Sequence, residues 1–192
     1  MPTTNLIDTI KNKKQEEKNR LENLEKKYQN KEMILGIDLS KSKPGIAIVN
    51  LKQKKVIITD DYQNKEKDTY MRFLEIKYWL ESIIKTFKPG AIMIEKEFIK
   101  STRFGSNATI PLLKLHGFIY YVVKSFGIPM YEILPSSSRA FLKIKPNTKE
   151  QAFEYVKKNF EELKLTDFKQ DNDKADAIII ALNYLNDKKV EL

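Results

Sequence analysis

Short aliphatic and β-branched runs alternate with longer amphipathic segments from Met33 to the end of the chain. MILGID, GIAIV and KVIIT, which begin at Met33, Gly45 and Lys55, have the composition of strands and are separated by turn residues. Three successive strands with short connections predict an antiparallel meander. AIMIE at 91–95 is apolar on both faces, as a central parallel strand would be. Met130 to Leu134 predicts a fifth strand.

Four other segments repeat their apolar residues at helical spacing and predict helices. They run from Asp68 to Phe87 with a stop at Pro89-Gly90, from Ile110 to Phe126, from Thr148 with Gln151 at capping-box spacing, and from about Asn172 to Asn186. The element order βββαβαβαα predicts an α/β domain.

Residues 1–32 follow a different pattern. No apolar side chain occurs from Lys11 to Arg20, and Leu21, Leu24 and Tyr28 form only a short helical seam. We expect a solvated helical arm at 1–32 ahead of one folded domain at 33–192. The arm is either a solubilising appendage or a contact to a second copy or to DNA.

The amino-acid composition excludes cysteine-based sites and favours a polyanionic binding partner. The 192 residues carry 35 Lys+Arg against 26 Asp+Glu, a formal net charge of +9, and no Cys. The absence of cysteine excludes a disulfide scaffold, a thiol nucleophile and a Cys-ligated metal, so any metal must be held by oxygen ligands. The positive excess favours a polyanionic partner, with nucleic acid ahead of an anionic membrane surface. Without a signal-like or membrane-spanning run, we expect a cytoplasmic protein.

Carboxylates occur at three places where the local pattern disfavours them. Asp38 ends the first strand, Glu95 ends the fourth, and Asp173 and Asp176 lie three residues apart, on one face of the last helix. Each has a structural alternative. Asp173 could be a first-turn acid with Asn172 or Asp171 as cap, and the strand-end acids could accept turn hydrogen bonds.

If these carboxylates converge, they would repel one another unless a cation lies between them. Hard oxygen donors suit Mg²⁺ or Mn²⁺. Two such ions about 3.5–4 Å apart can activate a water and stabilise the leaving oxygen of a phosphodiester. We therefore expect a Mg²⁺ site, of two ions with Mn²⁺ as a substitute, on a protein that binds a polyanion.

Three of these segments resemble the acidic motifs of RuvC-type Holliday junction resolvases in the RNase H-like superfamily. They are GIDLS at the first strand, IEKEF at the fourth, and DKADAIIIAL in the last helix. The resemblance spans roughly Met33 to Leu185 and is closest to short resolvases carried by bacteriophages of lactococci and related hosts. Leu39-Ser40 depart from the Pro-Gly usual in bacterial members.

The resemblance implies a mixed five-stranded sheet of order 3-2-1-4-5 flanked by helices, a homodimer, and paired nicks in a four-way DNA junction. By position, Asp38, Glu95, Asp173 and Asp176 take the catalytic and metal-ligand roles, with Glu97 as a competitor of Glu95. The DNA-binding positions are Phe98, Lys100, Arg103, Arg139, Lys143 and Lys149. Phe98 could instead plug the core, and the basic residues could form an ordinary solvated face.

Two other functions remain open at this point. The same acidic site would serve an RNase H-like nuclease acting on RNA or RNA–DNA hybrid, and a basic nucleic-acid-binding protein would need no catalysis. The single histidine, His116, lies among apolar residues and favours a packing role over a His-based site. Ser136 to Ser138 lack a base to activate them, so a serine hydrolase is unsupported.

Overall fold

The computed structural model describes residues 3–27, 30–40, 43–63, 65–96, 109–140, 142–143 and 148–186. Its strands are β1 (Asn30–Asp38), β2 (Gly45–Asn50), β3 (Lys55–Asp61), β4 (Pro89–Glu95) and β5 (Met130–Ile133). Its α-helices are α1 (Thr3–Lys27), α2 (Thr69–Phe87), α3 (Thr109–Ser125), α4 (Pro135–Ala140), α5 (Lys149–Asn159) and α6 (Phe168–Leu182). Short 3₁₀ turns cover Glu161–Leu163 and Asn183–Asn186.

The five strands form one mixed sheet in the order β3-β2-β1-β4-β5. β1 pairs antiparallel with β2, and β2 with β3, which confirms the predicted meander. β4 runs parallel to both β1 and β5. The carboxyl ends of β1, β4 and β5 therefore lie at the same edge of the sheet, and this edge carries Asp38 and Glu95.

Helices cover both faces of the sheet and form two apolar layers. On one face, Ile34, Val49 and Met93 pack with buried residues of α5 and α6. On the other face, neighbouring strand positions, such as Leu35 and Ile92, pack with α2 and α3. The central strands are therefore buried on both sides, as their apolar sequences predict.

α6 lies directly on the backbone of β1 and β2 because two glycines make room for it. A Cβ atom on Gly36 would lie 2.1 Å from the carbonyl oxygen of Ala177, and one on Gly45 would lie 2.4 Å from that of Asp173. No larger residue fits at either place without a backbone shift. This close approach brings the acidic face of α6 to the end of β1.

Two helix starts agree with the sequence and one does not. Asp68 caps α2 by accepting from the Met71 amide, and Thr148 caps α5 by accepting from the Gln151 amide. α6 begins at Phe168, because Asp167 accepts from the amides of two following residues, so the predicted start near Asn172 is wrong by about a turn. The predicted end of α2 before Pro89-Gly90 is confirmed, and these two residues begin β4, two positions earlier than predicted.

α2 ends at Phe87 because Lys88 adopts a left-handed conformation with φ 47°. α4, between β5 and α5, was not predicted.

α1 confirms the helical character of the N-terminal segment, and its side chains from Asp8 to Arg20 are exposed. β1 begins three residues before Met33, and the division into an arm and a domain at residue 32 stays a prediction. No helix of the described ranges is long and apolar enough to cross a membrane.

Candidate active site

Four carboxylates meet at the edge of the sheet where β1 and β4 end. Asp38 and Glu95 are the last residues of these adjacent parallel strands, and Asp173 and Asp176 lie on the α6 face that packs there. The pKa of Asp38 is raised well above its usual range, first by burial and then by the negative charges of Asp176, Glu95 and Asp173. The structure therefore brings together residues from three distant segments of the chain.

Neighbouring groups act in opposite directions on the pKa of the Glu95 carboxylate. Burial and the charge of Asp176 raise its pKa, whereas a hydrogen bond from Ser138 and the cations Lys149 and Arg139 oppose this rise. The Ser138 hydroxyl donates to Glu95 Oε1 at 3.2 Å, and it also lies 3.0 Å from the Pro135 carbonyl oxygen. Because Ser138 is buried, its hydroxyl limits the directions in which Glu95 can point.

Lys149 enters the acidic cluster from the first turn of α5. Its Nζ lies 2.6 Å from Asp176 Oδ2. Burial disfavours the charged ammonium, but the carboxylates of Asp176, Asp38 and Glu95 outweigh burial and raise the pKa of Lys149. Among the described contacts of Asp176, this ammonium is the closest positive charge.

Asp173 lies on the same α6 face. Burial is the largest cause of its raised pKa, and Lys43, with Nζ 4.0 Å from Asp173 Oδ2, opposes the rise. The alternative that Asp173 is a first-turn acid is wrong, because the first turn holds Asp171 instead. Asp167 caps the helix, so the capping roles considered for Asp171 and Asn172 are wrong too.

The acidic cluster has the donor chemistry that a divalent metal ion prefers. Every acidic group here supplies hard oxygen ligands. The raised pKa values of Asp38, Glu95 and Asp173 reflect burial together with a repulsion that a cation would relieve. Within the described ranges, however, no three Asp, Glu or His side chains are arranged so that they could hold an ion as they stand. The chemistry of the donors fits a metal, and binding one requires Lys149 and the carboxylates to rearrange.

The predicted DNA-binding residues are divided between described and undescribed parts of the chain. Arg139 lies on α4 with its Nε buried and without a hydrogen-bond partner in the described structure, and its charge acts on Glu95. Lys143 is exposed in a turn with φ 53°. Phe98, Lys100 and Arg103, together with the ligand candidate Glu97, lie outside the described residues.

Two residues at the site were missed by sequence reasoning. Ser138 had been considered only as a nucleophile, and nothing in the local sequence pairs it with Glu95, 43 positions away. Asn183 is buried and donates from Nδ2 to the carbonyl oxygens of Ser138 and Ile179, at 2.8 Å each. This contact ties the end of α6 to α4.

The single histidine and the single tryptophan contact other acidic side chains, Glu132 and Asp60. His116 is partly buried, with Nε2 3.5 Å from Glu132 Oε1 at the outer strand β5. Trp79 donates to Asp60 Oδ2 at 3.2 Å and its ring lies 5.5 Å from that of Tyr62. Neither residue takes part in the candidate site.

Comparison with known proteins gives a consistent result. The family model described as crossover junction endodeoxyribonuclease RuvC matches residues 34–184. The RuvC proteins of Prochlorococcus marinus subsp. pastoris and of P. marinus strain MIT 9312 are each 30% identical over 158 residues, which is 81% of this chain and 97% of theirs. The expected phage-type origin stays a prediction.

Solved structures agree at the level of the fold. Thermus thermophilus RuvC in complex with a Holliday junction substrate superposes with a TM-score of 0.65 at 19% identity, over 80% of this chain and 92% of that one. The yeast mitochondrial Holliday junction resolvase gives a TM-score of 0.59 at 16% identity, over 86% and 82%. The predicted RNase H-like fold, with its sheet order 3-2-1-4-5, is confirmed.

Proposed function

The chain belongs to the crossover junction endodeoxyribonuclease RuvC family, and we propose that it resolves four-way DNA junctions by paired nicks in opposed strands. It is a nuclease that hydrolyses phosphodiester bonds, and its family depends on divalent metal ions. Mg²⁺ as the natural ion, two ions per site, and the residues that hold them are part of this proposal.

The observation that supports the proposal is the convergence of Asp38, Glu95, Asp173 and Asp176. Burial and mutual repulsion act on these carboxylates together, although three separate segments supply them. A protein that needed only to cap a helix or solvate a surface would gain nothing from this repulsion. The same chain carries a net charge of +9, which suits a polyanionic substrate.

These four residues would hold the metal, which would supply a water of lowered pKa and a counter-charge for the leaving 3′ oxygen. Ser138 orients the Glu95 carboxylate. Lys149 and Arg139 lie close enough to the carboxylates to act on them electrostatically, so they also place positive charge where the scissile phosphate would approach. Phe98, Lys100, Arg103 and Lys143 are also proposed to contact the junction.

Two copies act together in this proposal. A four-way junction has two opposed strands to be cut, and one chain contributes one acidic cluster. A C2 dimer would present two equivalent clusters to the two strands. The family acts as dimers on branched DNA, and the dimer of this chain is expected to be the cutting species.

The decisive experiment compares cleavage and binding by wild type and Asp38→Asn. Each protein is given a four-way junction, a linear duplex of the same sequence, and an RNA–DNA hybrid, with Mg²⁺. We expect wild type to nick the junction in two opposed strands. Asp38→Asn should bind the junction at least as well, because one repulsive carboxylate is gone, but should cleave it slower by orders of magnitude.

Other outcomes would contradict the proposal in different ways. Full cleavage by Asp38→Asn would overturn the site assignment. Preferred cleavage of the hybrid would favour the RNase H-like alternative. Binding without cleavage of any branched substrate by wild type would favour a basic nucleic-acid-binding protein. Repeating the wild-type reaction with Mn²⁺ and with Ca²⁺ separates the choice of ion from the choice of substrate.

A further inference from the structure

A basic cleft lies beside the acidic cluster, between the end of β3 and the first turns of α6. Its charged lining consists of Lys43, Lys65, Lys169 and Lys174 with Asp61 and Asp171, and Gln63 and Gln170 complete it. Four lysines against two aspartates leave a formal excess of two positive charges. None of these lysines belongs to the candidate DNA-binding residues identified above.

The acidic residues of the cleft hold two of its lysines in place. The ammonium groups of Lys43 and Lys174 lie 3.4 Å and 3.2 Å from the same oxygen, Oδ2 of Asp61. Lys174 also lies 3.0 Å from Asp171, whose other oxygen accepts from the amide and the hydroxyl of Thr166, at 2.7 Å each. Carboxylates therefore balance the charges of Lys43 and Lys174 and hold both ammonium groups in place, so the positive excess of the cleft comes from Lys65 and Lys169.

The other two lysines are free to bind something else. Lys65 and Lys169 are exposed, and neither ammonium makes an ion pair within the part of the chain that the structure describes. Two lysines paired with carboxylates and two exposed lysines thus line the same open cleft. An open cleft of this kind suits a chain of phosphates passing through it better than an enclosed small anion.

The cleft is continuous with the acidic cluster through Lys43. The Lys43 ammonium lies 4.0 Å from Asp173 Oδ2 and 3.4 Å from Asp61 Oδ2, so it stands between the two. A DNA strand with one phosphodiester at the carboxylates has its next phosphate one nucleotide farther along the backbone, on the side where the cleft lies. Lysine contacts to phosphates fix the register of the strand without reading its sequence.

We propose that this cleft binds backbone phosphates of the strand being cut, on one side of the scissile bond, with Lys65 and Lys169 as the contacting residues. This inference rests on the proposed function, because it takes DNA as the substrate. Its role is to position the strand rather than to take part in the chemistry, so its loss should weaken binding and spare the cleavage step.

The test uses two double variants that remove equal charge. Lys65→Ala/Lys169→Ala alters the cleft and leaves Lys43 and Lys174 with their carboxylates. Lys52→Ala/Lys55→Ala is the matched control, because Lys52 and Lys55 are exposed at the opposite end of β2 and β3. Folding of each is checked by the fluorescence of Trp79, the only tryptophan. Affinity for a four-way junction and for a linear duplex is measured without divalent metal, from about 50 to 200 mM salt.

For the cleft variant, the slope of log K against log salt should become shallower by roughly 0.9 for each phosphate that the variant no longer neutralises. Its KM for the junction should rise several-fold with Mg²⁺ while kcat stays within about twofold, since the removed interactions stabilise the bound substrate and the transition state equally. The effect should not depend on junction sequence. The control should match wild type in slope and KM.

The results separate this inference from the proposed function. If wild type binds and cuts the junction but the cleft variant keeps the wild-type slope and KM, the cleft proposal is overturned and the function stands. A cleft variant with unchanged KM and a large loss of kcat would also overturn the positioning role. If wild type neither binds nor cuts the junction, the proposed function itself fails.

Discussion

The hydroxyl of Ser138 donates a hydrogen bond to Glu95 Oε1 at 3.2 Å, and the carbonyl of the same serine accepts one from Asn183 Nδ2 at 2.8 Å. Ser138 and Asn183 are both buried. One serine thus connects β4, α4 and the end of α6, three elements that also carry Glu95, Arg139 and Asp176. The orientation of Glu95 is therefore fixed by residues distant in sequence.

We expect Ser138→Ala to lower the affinity for Mg²⁺ and the rate of metal-dependent cleavage. The Ser138 hydroxyl opposes the raised pKa of Glu95, so its removal should raise that pKa further and move the acidic limb of the cleavage pH profile to higher pH. Loss of a hydrogen bond to a metal ligand typically costs 10–100-fold in metal affinity or activity. Mg²⁺ titration of cleavage and the pH dependence of kcat/KM measure both effects.

Ser137→Ala is the matched control, because Ser137 is the exposed neighbour on α4. It should leave the Mg²⁺ requirement and the pH profile unchanged. If Ser138→Ala also leaves both unchanged while Glu95→Gln abolishes cleavage, the hydrogen bond does not orient the carboxylate in the working enzyme.

Asp38→Asn should stabilise the metal-free protein at neutral pH. The folded-state pKa of Asp38 is raised by burial and by the neighbouring carboxylates, so the folded state binds protons more tightly than the unfolded state. Ionisation of Asp38 therefore destabilises the folded wild-type protein. This destabilisation is absent below the ordinary carboxyl pKa of about 3.9 and reaches its full size above the raised pKa. A gain of ~1 kcal/mol would raise Tm by roughly 2–4 °C for a domain of this size.

Thermal unfolding in EDTA at pH 7 and near pH 3.5 measures this difference. The Tm of Asp38→Asn should exceed that of wild type at pH 7, and the gap should close at the lower pH. Glu154→Gln, which removes an exposed carboxylate of α5, should have little effect at either pH. A lower Tm for Asp38→Asn than for wild type at pH 7 would mean that the Asp38 carboxylate stabilises the folded protein, which contradicts the repulsion between the carboxylates.

Mg²⁺ should raise the Tm of wild type more than that of Asp38→Asn, in the absence of DNA. An ion that binds only the folded state stabilises it by about 2.7 kcal/mol at 100 times its Kd. Removing one ligand weakens binding and reduces this gain, whereas Glu154→Gln should respond like wild type. Equal responses of all three proteins would indicate that the ion binds elsewhere.

The acidic strand ends were predictable because they break a local rule. Asp38 and Glu95 follow apolar runs in which carboxylates are disfavoured, and their resemblance to known motifs supplied the sheet order that makes them neighbours. The start of α6 was predicted wrongly because Asp171 and Asn172 are plausible caps as well as Asp167, and only the amide geometry selects Asp167.

Long-range contacts left no local signal. The Ser138 to Glu95 bond and the pairing of Lys43 with Asp61 join positions that only the folded chain brings together. α4 was missed because its sequence, PSSSRA, begins with proline and three serines and reads as a turn. Side-chain contacts across elements therefore had to come from the structure.

Gly36→Ala should destabilise the protein through a backbone clash. The added Cβ would lie 2.1 Å from the Ala177 carbonyl oxygen and 2.7 Å from the Ala181 amide nitrogen. Both atoms belong to α6, so relief requires the helix to move away from β1. Forcing a methyl group into a packed core costs typically ~1–3 kcal/mol, and we expect the upper end of this range because backbone cannot rotate aside.

Gly117→Ala is the control of opposite sign, because Gly117 lies within α3 and a Cβ there meets nothing within 4 Å. Alanine within a helix should stabilise by roughly 0.5–1 kcal/mol over glycine. Denaturant unfolding followed by Trp79 fluorescence gives both values. Because α6 carries Asp173 and Asp176, Gly36→Ala should also lower kcat under conditions where the variant is fully folded. A destabilised variant with wild-type kcat would show that the site tolerates displacement of α6.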